Sequence, residues 1–152
     1  MPSSRLCLSL ALLSVGCASD PARPAAAVRV DVAVNASTVR VGDVVALTLV
    51  ASNPTDREAR WSSGCGLDLG FEVRASDGQV VETPEFGICT AEARQLSLAP
   101  HALMVRTVGW RVGSAARPGG PVAAGTVTIH GRLGVVDRTQ RSGTSVAVYI
   151  AP

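Results

Sequence analysis

The chain is poor in the residue types on which most enzymes and nucleic-acid-binding proteins depend. It has no lysine, two histidines, and two tryptophans, two phenylalanines and one tyrosine among 152 residues. All 14 basic residues are arginines, spread among 12 acidic residues without a run of one sign. Because nucleic-acid binding calls for a clustered basic face, this distribution argues against it.

The two histidines lie in no catalytic motif. A histidine base normally acts beside a nucleophile and is oriented by a carboxylate. His101 follows Pro100 in a predicted turn, whereas His130 alternates with Val127 and Ile129 on a predicted strand, so we expect both to face solvent. No GxSxG, HExxH or glycine-rich phosphate loop surrounds either one. The sequence therefore predicts a protein that is not an enzyme and holds no cofactor, with catalysis the weakest remaining hypothesis.

Long apolar runs are also scarce, and the longest one lies at the start. Residues 6–15, LCLSLALLSV, follow Arg5 and precede Gly16 and Cys17. As a helix this run would span roughly 15 Å, about half a bilayer core, which is typical of an export signal and too short for a membrane span. No later stretch is long and apolar enough to cross a membrane.

The Gly16-Cys17 pair resembles the cleavage site of a bacterial lipoprotein signal. That resemblance implies a signal peptide over residues 1–16, acyl chains on Cys17, and a flexible tether over residues 17–27, which contain Pro21 and Pro24. We expect an extracytoplasmic protein anchored to the bacterial cell envelope. Ala18 favours the outer membrane if the host is Gram-negative, and ordinary cleavage after Ala18 is the alternative.

Two of the four cysteines remain after the leader and the anchor are set aside. Cys65 and Cys89 are an even pair in an oxidising compartment, which predicts a disulfide. Closing a loop of roughly 25 residues would stabilise the fold by about 3–4 kcal/mol. The alternative is a metal site that combines these thiols with His101 or His130, but it lacks CxxC or HxxxH spacing, and we predict no metal.

The remainder of the chain, residues 28–152, shows the period-two alternation of β-strands. Turn signals separate the runs, among them Asn53-Pro54, where the asparagine can close an Asx turn, and the hairpin signal Asp77-Gly78. No convincing helix follows the leader. The pattern predicts one all-β domain, a single antiparallel, Ig-like β-sandwich of seven to nine strands. The segments that show this strand pattern, of which the sandwich is expected to use seven to nine, are residues 28–34, 38–41, 44–52, 59–63, 71–75, 80–83, 93–98, 102–112, 126–133 and 145–150.

Acidic and aromatic residues suggest two further sites that simpler explanations account for. Five acidic residues crowd one stretch without the spacing of a calcium-binding loop, so we interpret them as alternating charges on an exposed strand face. Trp61 and Trp110 could stack on a sugar, but in a chain so short of aromatics we expect both in the core. The acidic residues are Asp68, Glu72, Asp77, Glu82 and Glu85.

Strand and turn segments over roughly residues 40–133 resemble the BsuPI-type domain, a family named for an intracellular proteinase inhibitor of bacilli. The resemblance implies a β-sandwich and, as an activity, proteinase inhibition. This chain departs from the family in being exported and in Val127, where an aromatic residue is common. The matching segments are LTLVASNP at 47–54, SG at 63–64, VRASDGQVV at 73–81, LAP at 98–100, Trp110, PG at 118–119 and GTV at 125–127.

An inhibitory loop must be exposed and yet restrained, because ordering a floppy loop costs affinity, and one segment is expected to meet both requirements. Residues 85–91, EFGICTA, contain Cys89 and would be held by its bond to Cys65; a simple stapled crossover is the alternative. We therefore expect a protein-binding envelope lipoprotein, proteinase inhibition being its most specific form and a structural lipoprotein without a ligand site its rival. The candidate contacts are Glu85, Phe86, Gly87, Ile88, Thr90 and Ala91.

Overall fold

The computed structural model describes residues 27–63, 68–83, 94–113, 122–133 and 141–152. These residues contain no α-helix, and their regular structure consists of eleven β-strands, so the predicted all-β class is confirmed. The strands are β1 (Arg29–Val34), β2 (Thr38–Arg40), β3 (Val44–Ser52), β4 (Ala59–Ser63), β5 (Leu69–Arg74), β6 (Val80–Glu82), β7 (Arg94–Leu98), β8 (Leu103–Arg111), β9 (Gly125–Leu133), β10 (Arg141–Ser142) and β11 (Val146–Ala151).

The strands form two large sheets and a two-stranded ribbon. The four-stranded sheet has the order β10-β1-β3-β8, the five-stranded sheet has the order β2-β11-β9-β5-β6, and β4 pairs with β7. Two pairings, β1 with β10 and β2 with β11, are parallel, and the others are antiparallel. The expected count of seven to nine strands is not confirmed, because the described residues alone contain eleven.

The two parallel pairings arise where both ends of the domain pass from one sheet to the other. The chain leaves β1 in the four-stranded sheet and enters β2 in the five-stranded sheet, and β10 and β11 repeat this crossing beside it. Gly143 lies at the second crossing, where a Cβ would stand 2.3 Å from the carbonyl oxygen of Val30. Its N–H donates to that same oxygen at 3.2 Å. Only glycine fits this approach of backbone to backbone.

The core lies between the two large sheets and is built by strands that alternate inward and outward. In β3 every second residue from Val45 to Ala51 is buried, and in β9 the same holds from Val127 to Leu133. The period of two buries one face of each strand and removes its apolar side chains from water, worth about 1.5–3 kcal/mol for each large aliphatic side chain. This arrangement supports the β-sandwich character of the fold.

Asn53 joins the four-stranded sheet to the ribbon and confirms the predicted turn. Its Oδ1 accepts hydrogen bonds from the backbone N–H of Thr55 at 3.2 Å and from the Thr55 hydroxyl at 2.7 Å, which closes the Asx turn. Its buried amide donates to the carbonyl oxygens of Arg57, Leu98 and Ala99. The Asn53 side chain therefore supplies hydrogen bonds to backbone carbonyls both in the β3–β4 connection and at the end of β7, and so ties the two together.

Candidate functional site

The residues on which the sequence-based site hypotheses depend lie outside the described part of the chain. This applies to the signal peptide, to Cys17 and most of the tether, and to the expected disulfide partners Cys65 and Cys89. It applies equally to the candidate interaction loop. The loop residues concerned are Glu85, Phe86, Gly87, Ile88, Thr90 and Ala91.

The two histidines occupy different parts of the fold. His101 is exposed in the turn between β7 and β8, as expected, and its Nε2 lies 2.8 Å from Oδ1 of the exposed Asp56. His130 is half-buried on β9, on the face opposite the core residue Ile129. In the β5–β9 register its backbone lies opposite that of Glu72. Within the described ranges, no group of three or more histidine, cysteine, aspartate and glutamate side chains could hold a metal ion.

The tryptophans belong to the core, which confirms the packing prediction. Trp61 is 4% exposed and Trp110 is 2% exposed. The ring of Trp110 meets that of Phe71 edge to face, with centroids 6.4 Å apart. Neither indole is available as an exposed platform for a sugar.

The interpretation of the acidic stretch as an exposed strand face is wrong for two of its members. Glu72 is 4% exposed and Glu82 is 2% exposed, whereas Asp77 is exposed in the β5–β6 turn. Glu82 is directed inward because a register shift at Val73 and Arg74 pairs it with Val73, a core residue. One of its carboxylate oxygens accepts the backbone N–H of Gly113 at 3.2 Å. Glu85 lies outside the described residues.

Glu72 is buried because two arginines close over it. Its Oε1 accepts Nε of Arg74 at 2.6 Å and also contacts Nη2 of that residue, while its Oε2 accepts Nη1 of Arg132 at 2.6 Å. The Glu72 side chain is 5% exposed, whereas each arginine side chain is 42% exposed. We call Glu72, Arg74 and Arg132 the arginine cluster. It lies on the outer face of the five-stranded sheet.

The outer face of the four-stranded sheet has the opposite character. Leu103 and Val105 lie on the outer side of β8 and are 64% and 61% exposed, and Val44 on β3 is 61% exposed. The β3–β8 register places Val50 beside Val105 and Thr48 beside Thr107. Eight adjacent positions on these strands therefore carry no charge, and we call them the apolar face. They are Val44, Ala46, Thr48, Val50, Leu103, Val105, Thr107 and Gly109. The exposed Arg111, which pairs with Val44, borders them at one end.

Asp31 borders the apolar face on β1, where it pairs with Val50. Its Oδ1 accepts the backbone N–H of Thr144 at 2.7 Å and the Thr144 hydroxyl at 2.9 Å. These hydrogen bonds, helped by the charge of Arg29, lower the pKa of the Asp31 carboxyl despite a small opposing contribution from burial. The only acidic side chain facing outward from the described parts of β1, β3 and β8 is therefore engaged in holding the 143–145 crossing.

The described ranges hold no helix of the length and apolar character needed to span a bilayer.

Comparison with known proteins yields a likeness of fold and no family. No protein-family model matches the chain, and no curated protein matches it. Among solved structures, an alkylpurine DNA glycosylase of Pseudomonas fluorescens, bound to DNA containing an abasic-site analogue, matches 84% of this chain with a TM-score of 0.52 and 11% identity. A β-glucosidase of Erythrobacter marinus matches 82% with a TM-score of 0.47 and 11% identity. The CARDB domain of a Pyrococcus furiosus protein in complex with metal ions matches 82% with a TM-score of 0.46 and 12% identity.

The chain spans 31% of the glycosylase and 15% of the glucosidase, so it is similar to one part of each of these larger proteins. It spans 87% of the CARDB domain. At such identities the likeness to the glycosylase concerns the fold alone, and functions on a shared fold depend on sites that these comparisons do not carry over.

Proposed function

We propose that this chain is a non-enzymatic protein-binding module of the bacterial cell envelope. In this proposal lipid on Cys17 anchors the protein, and residues 28–152 form one Ig-like β-sandwich of the BsuPI type. The observation that carries the proposal is the apolar face, where Leu103 and Val105 stand side by side on β8 and are both more than 60% exposed. Contiguous exposed apolar surface is typical of protein interaction sites.

The apolar face also indicates what kind of partner fits it. Leaving a large aliphatic side chain in water forfeits about 1.5–3 kcal/mol relative to burying it, and contact with a partner recovers part of that free energy. Because the eight positions carry no charge, the complementary surface is a flat, uncharged and apolar patch on another envelope protein. A strongly charged partner surface would lose hydration over these eight positions, where only the bordering side chains, such as Arg111, carry charge.

Proteinase inhibition is the most specific form of this proposal. It adds a second contact, residues 85–91, restrained by a disulfide between Cys65 and Cys89 so that the loop loses little entropy on binding. The BsuPI resemblance supports this form. The rival is a structural envelope lipoprotein that binds no discrete partner.

The binding proposal is tested with full-length protein and a matched pair of surface variants. Leu103→Thr/Val105→Thr removes the apolar contacts but keeps residues that favour strands, whereas Tyr149→Thr removes a 46% exposed aromatic from the other large sheet. We expect immobilised wild type and Tyr149→Thr to retain the same envelope protein. The double variant should bind that protein, once purified, at least tenfold more weakly. Equal retention by the double variant would refute the apolar face as the binding surface.

The inhibitor form is tested separately on any proteinase that the wild type retains. Near-stoichiometric inhibition should be lost when residues 85–91 are scrambled and weakened in Cys65→Ser/Cys89→Ser. If the retained partner is not a proteinase, the inhibitor form is wrong while protein binding stands. If wild type retains no envelope protein at all, the structural rival replaces both.

A further inference from the structure

We infer that the arginine cluster is a binding site for a phosphate-class oxyanion, separate from the apolar face. Two guanidinium groups contact one carboxylate, so the cluster has a net charge of one positive unit. The carboxylate is covered and both guanidinium groups are 42% exposed, so the excess positive charge is presented to solvent.

The donors left over in the cluster suit an oxyanion. A guanidinium has five N–H donors in a rigid, planar fork that matches the oxygens of phosphate. Glu72 accepts from Nε and Nη2 of Arg74 and from Nη1 of Arg132. No other side-chain acceptor in the described ranges bonds to either arginine, so within that part of the chain most of their donors remain available to a ligand. Charge-assisted hydrogen bonds from such forks are about twice as strong as neutral ones.

Glu72 holds both donors in place before a ligand arrives. A free arginine side chain loses up to about 2 kcal/mol of rotamer freedom when it is fixed, and this loss normally subtracts from binding. Here the carboxylate already fixes both side chains, one from β5 and one from β9, across a paired register. An anion that bridges them therefore meets a preorganised pair of donors.

The neighbouring residues on this face add hydrogen-bond donors and no further acidic side chain. Thr128 pairs with Arg74 and His130 pairs with Glu72, and both are half-buried on the same outer side of β9. Arg40, on β2 at the far edge of the same sheet, is exposed and adds positive charge. Among the described residues that face outward from β2, β11, β9 and β5, Glu72 is the one acidic side chain.

The test titrates full-length protein with inorganic phosphate and measures binding by calorimetry at constant ionic strength, with chloride as the reference anion. We expect saturable phosphate binding that weakens at least tenfold in Arg132→Gln and in Arg74→Gln. Arg57→Gln is the matched control, because it removes the same charge from an exposed turn outside the cluster; it should change affinity less than twofold. Arg132→Lys keeps the charge but not the fork and should fall between wild type and Arg132→Gln.

Vesicles distinguish a lipid headgroup from a free ion as the source of the phosphate. The vesicle test uses the Cys17→Ser variant, which cannot carry the acyl anchor. If vesicles containing phosphatidylglycerol bind this variant, if phosphatidylcholine vesicles do not, and if free phosphate competes, the site takes a phospholipid headgroup. Phosphate binding without vesicle binding assigns the site to a small ion. The inference is overturned if phosphate acts no differently from chloride, or if Arg57→Gln weakens binding as much as the cluster variants. None of these outcomes bears on the apolar face.

Discussion

The outer faces of the two large sheets flank the same core yet differ sharply in chemistry. The face built by β3 and β8 has eight adjacent uncharged positions, with Leu103 and Val105 largely exposed. The face built by β5 and β9 carries the arginine cluster, with its buried carboxylate. Alternation along a strand determines which residues face outward, but it does not determine which side chains of neighbouring strands they contact.

The difference shows two ways in which a sheet face departs from an ordinary solvated surface. On the apolar face, hydrophobic side chains remain exposed where polar ones would be more soluble, which is a feature expected of a contact surface. On the other face, a charged side chain is removed from water and is compensated by two partners. In the first arrangement the exposed side chains are left uncovered, whereas in the second the buried carboxylate is compensated within the chain.

The strongest test of this contrast removes both partners of the buried carboxylate. Breaking a buried pair costs about 3–5 kcal/mol. Arg74→Ala/Arg132→Ala removes both ion pairs of Glu72 but also uncovers its carboxylate to water, so the cost should lie at the lower end of this range. We expect a loss of unfolding free energy of that size in urea titrations. The control Arg40→Ala/Arg57→Ala removes two exposed charges and should cost less than about 1 kcal/mol in total. Similar losses in both variants would show that Glu72 does not depend on the cluster.

A second variant tests the close packing of the sheets that separate the two faces. At Gly131 of β9 an added Cβ would lie 2.6 Å from Cγ1 of the buried Val30 on β1. We expect Gly131→Ala to destabilise the fold by about 1–3 kcal/mol, as overpacking does. Val30→Ala removes the conflicting methyl groups, so the double variant should cost less than the sum of the two single variants. Simple additivity would mean that the two residues are not in contact.

Acid titration tests the anchoring of the apolar face at its border. Because the pKa of Asp31 is lowered in the folded state, its contribution to stability is full above its ordinary pKa of 3.8 and is lost as pH falls through the lowered value. Asp31 is partly exposed, so we expect this contribution to be under about 1 kcal/mol. Unfolding free energies of wild type and Asp31→Asn should differ at neutral pH, and the difference should shrink as the pH falls below the ordinary pKa of aspartate. A constant difference at every pH would contradict the assignment.

The smallest stability effect is expected on the apolar face itself. Leu103→Thr/Val105→Thr changes side chains that are already more than 60% exposed, so unfolding free energy should move by no more than about 0.5 kcal/mol. The same variant should lose partner binding, which separates function from folding. A loss of several kcal/mol would show that these residues serve the fold.

Much of the fold could be predicted from local pattern alone. The bounds of β3 and β4 agree with the sequence-based prediction, and the Asx turn at Asn53 and the Asp77-Gly78 hairpin lie where the turn residues indicate. In that hairpin Gly78 has φ of 83°, a conformation that glycine adopts at no steric cost. Period-two burial and turn chemistry act within a few residues, so sequence reasoning finds them. The two-residue strand β10 was missed because it is too short to show a period.

The candidate sites were less predictable because they depend on contacts distant in sequence. Alternation correctly places Glu72 on the outer side of β5, but its burial depends on Arg132, which is 60 residues away. The side chain of Glu82 faces the core because of a register shift in the β5–β6 pairing, which the local sequence pattern did not predict. The apolar face requires the pairing of β3 with β8 before its side chains form one surface.

The sequence by itself determined an all-β chain with its main strands and turns, because these follow from side-chain period and local backbone preference. It also indicated that both tryptophans are buried, because a chain with so few aromatic residues needs them in its core. Tertiary structure alone decided which strands share a sheet, which outward residues stay uncharged together, and which carboxylate is enclosed by arginines. Those outcomes depend on register between distant strands, where a shift of one residue would reverse every face.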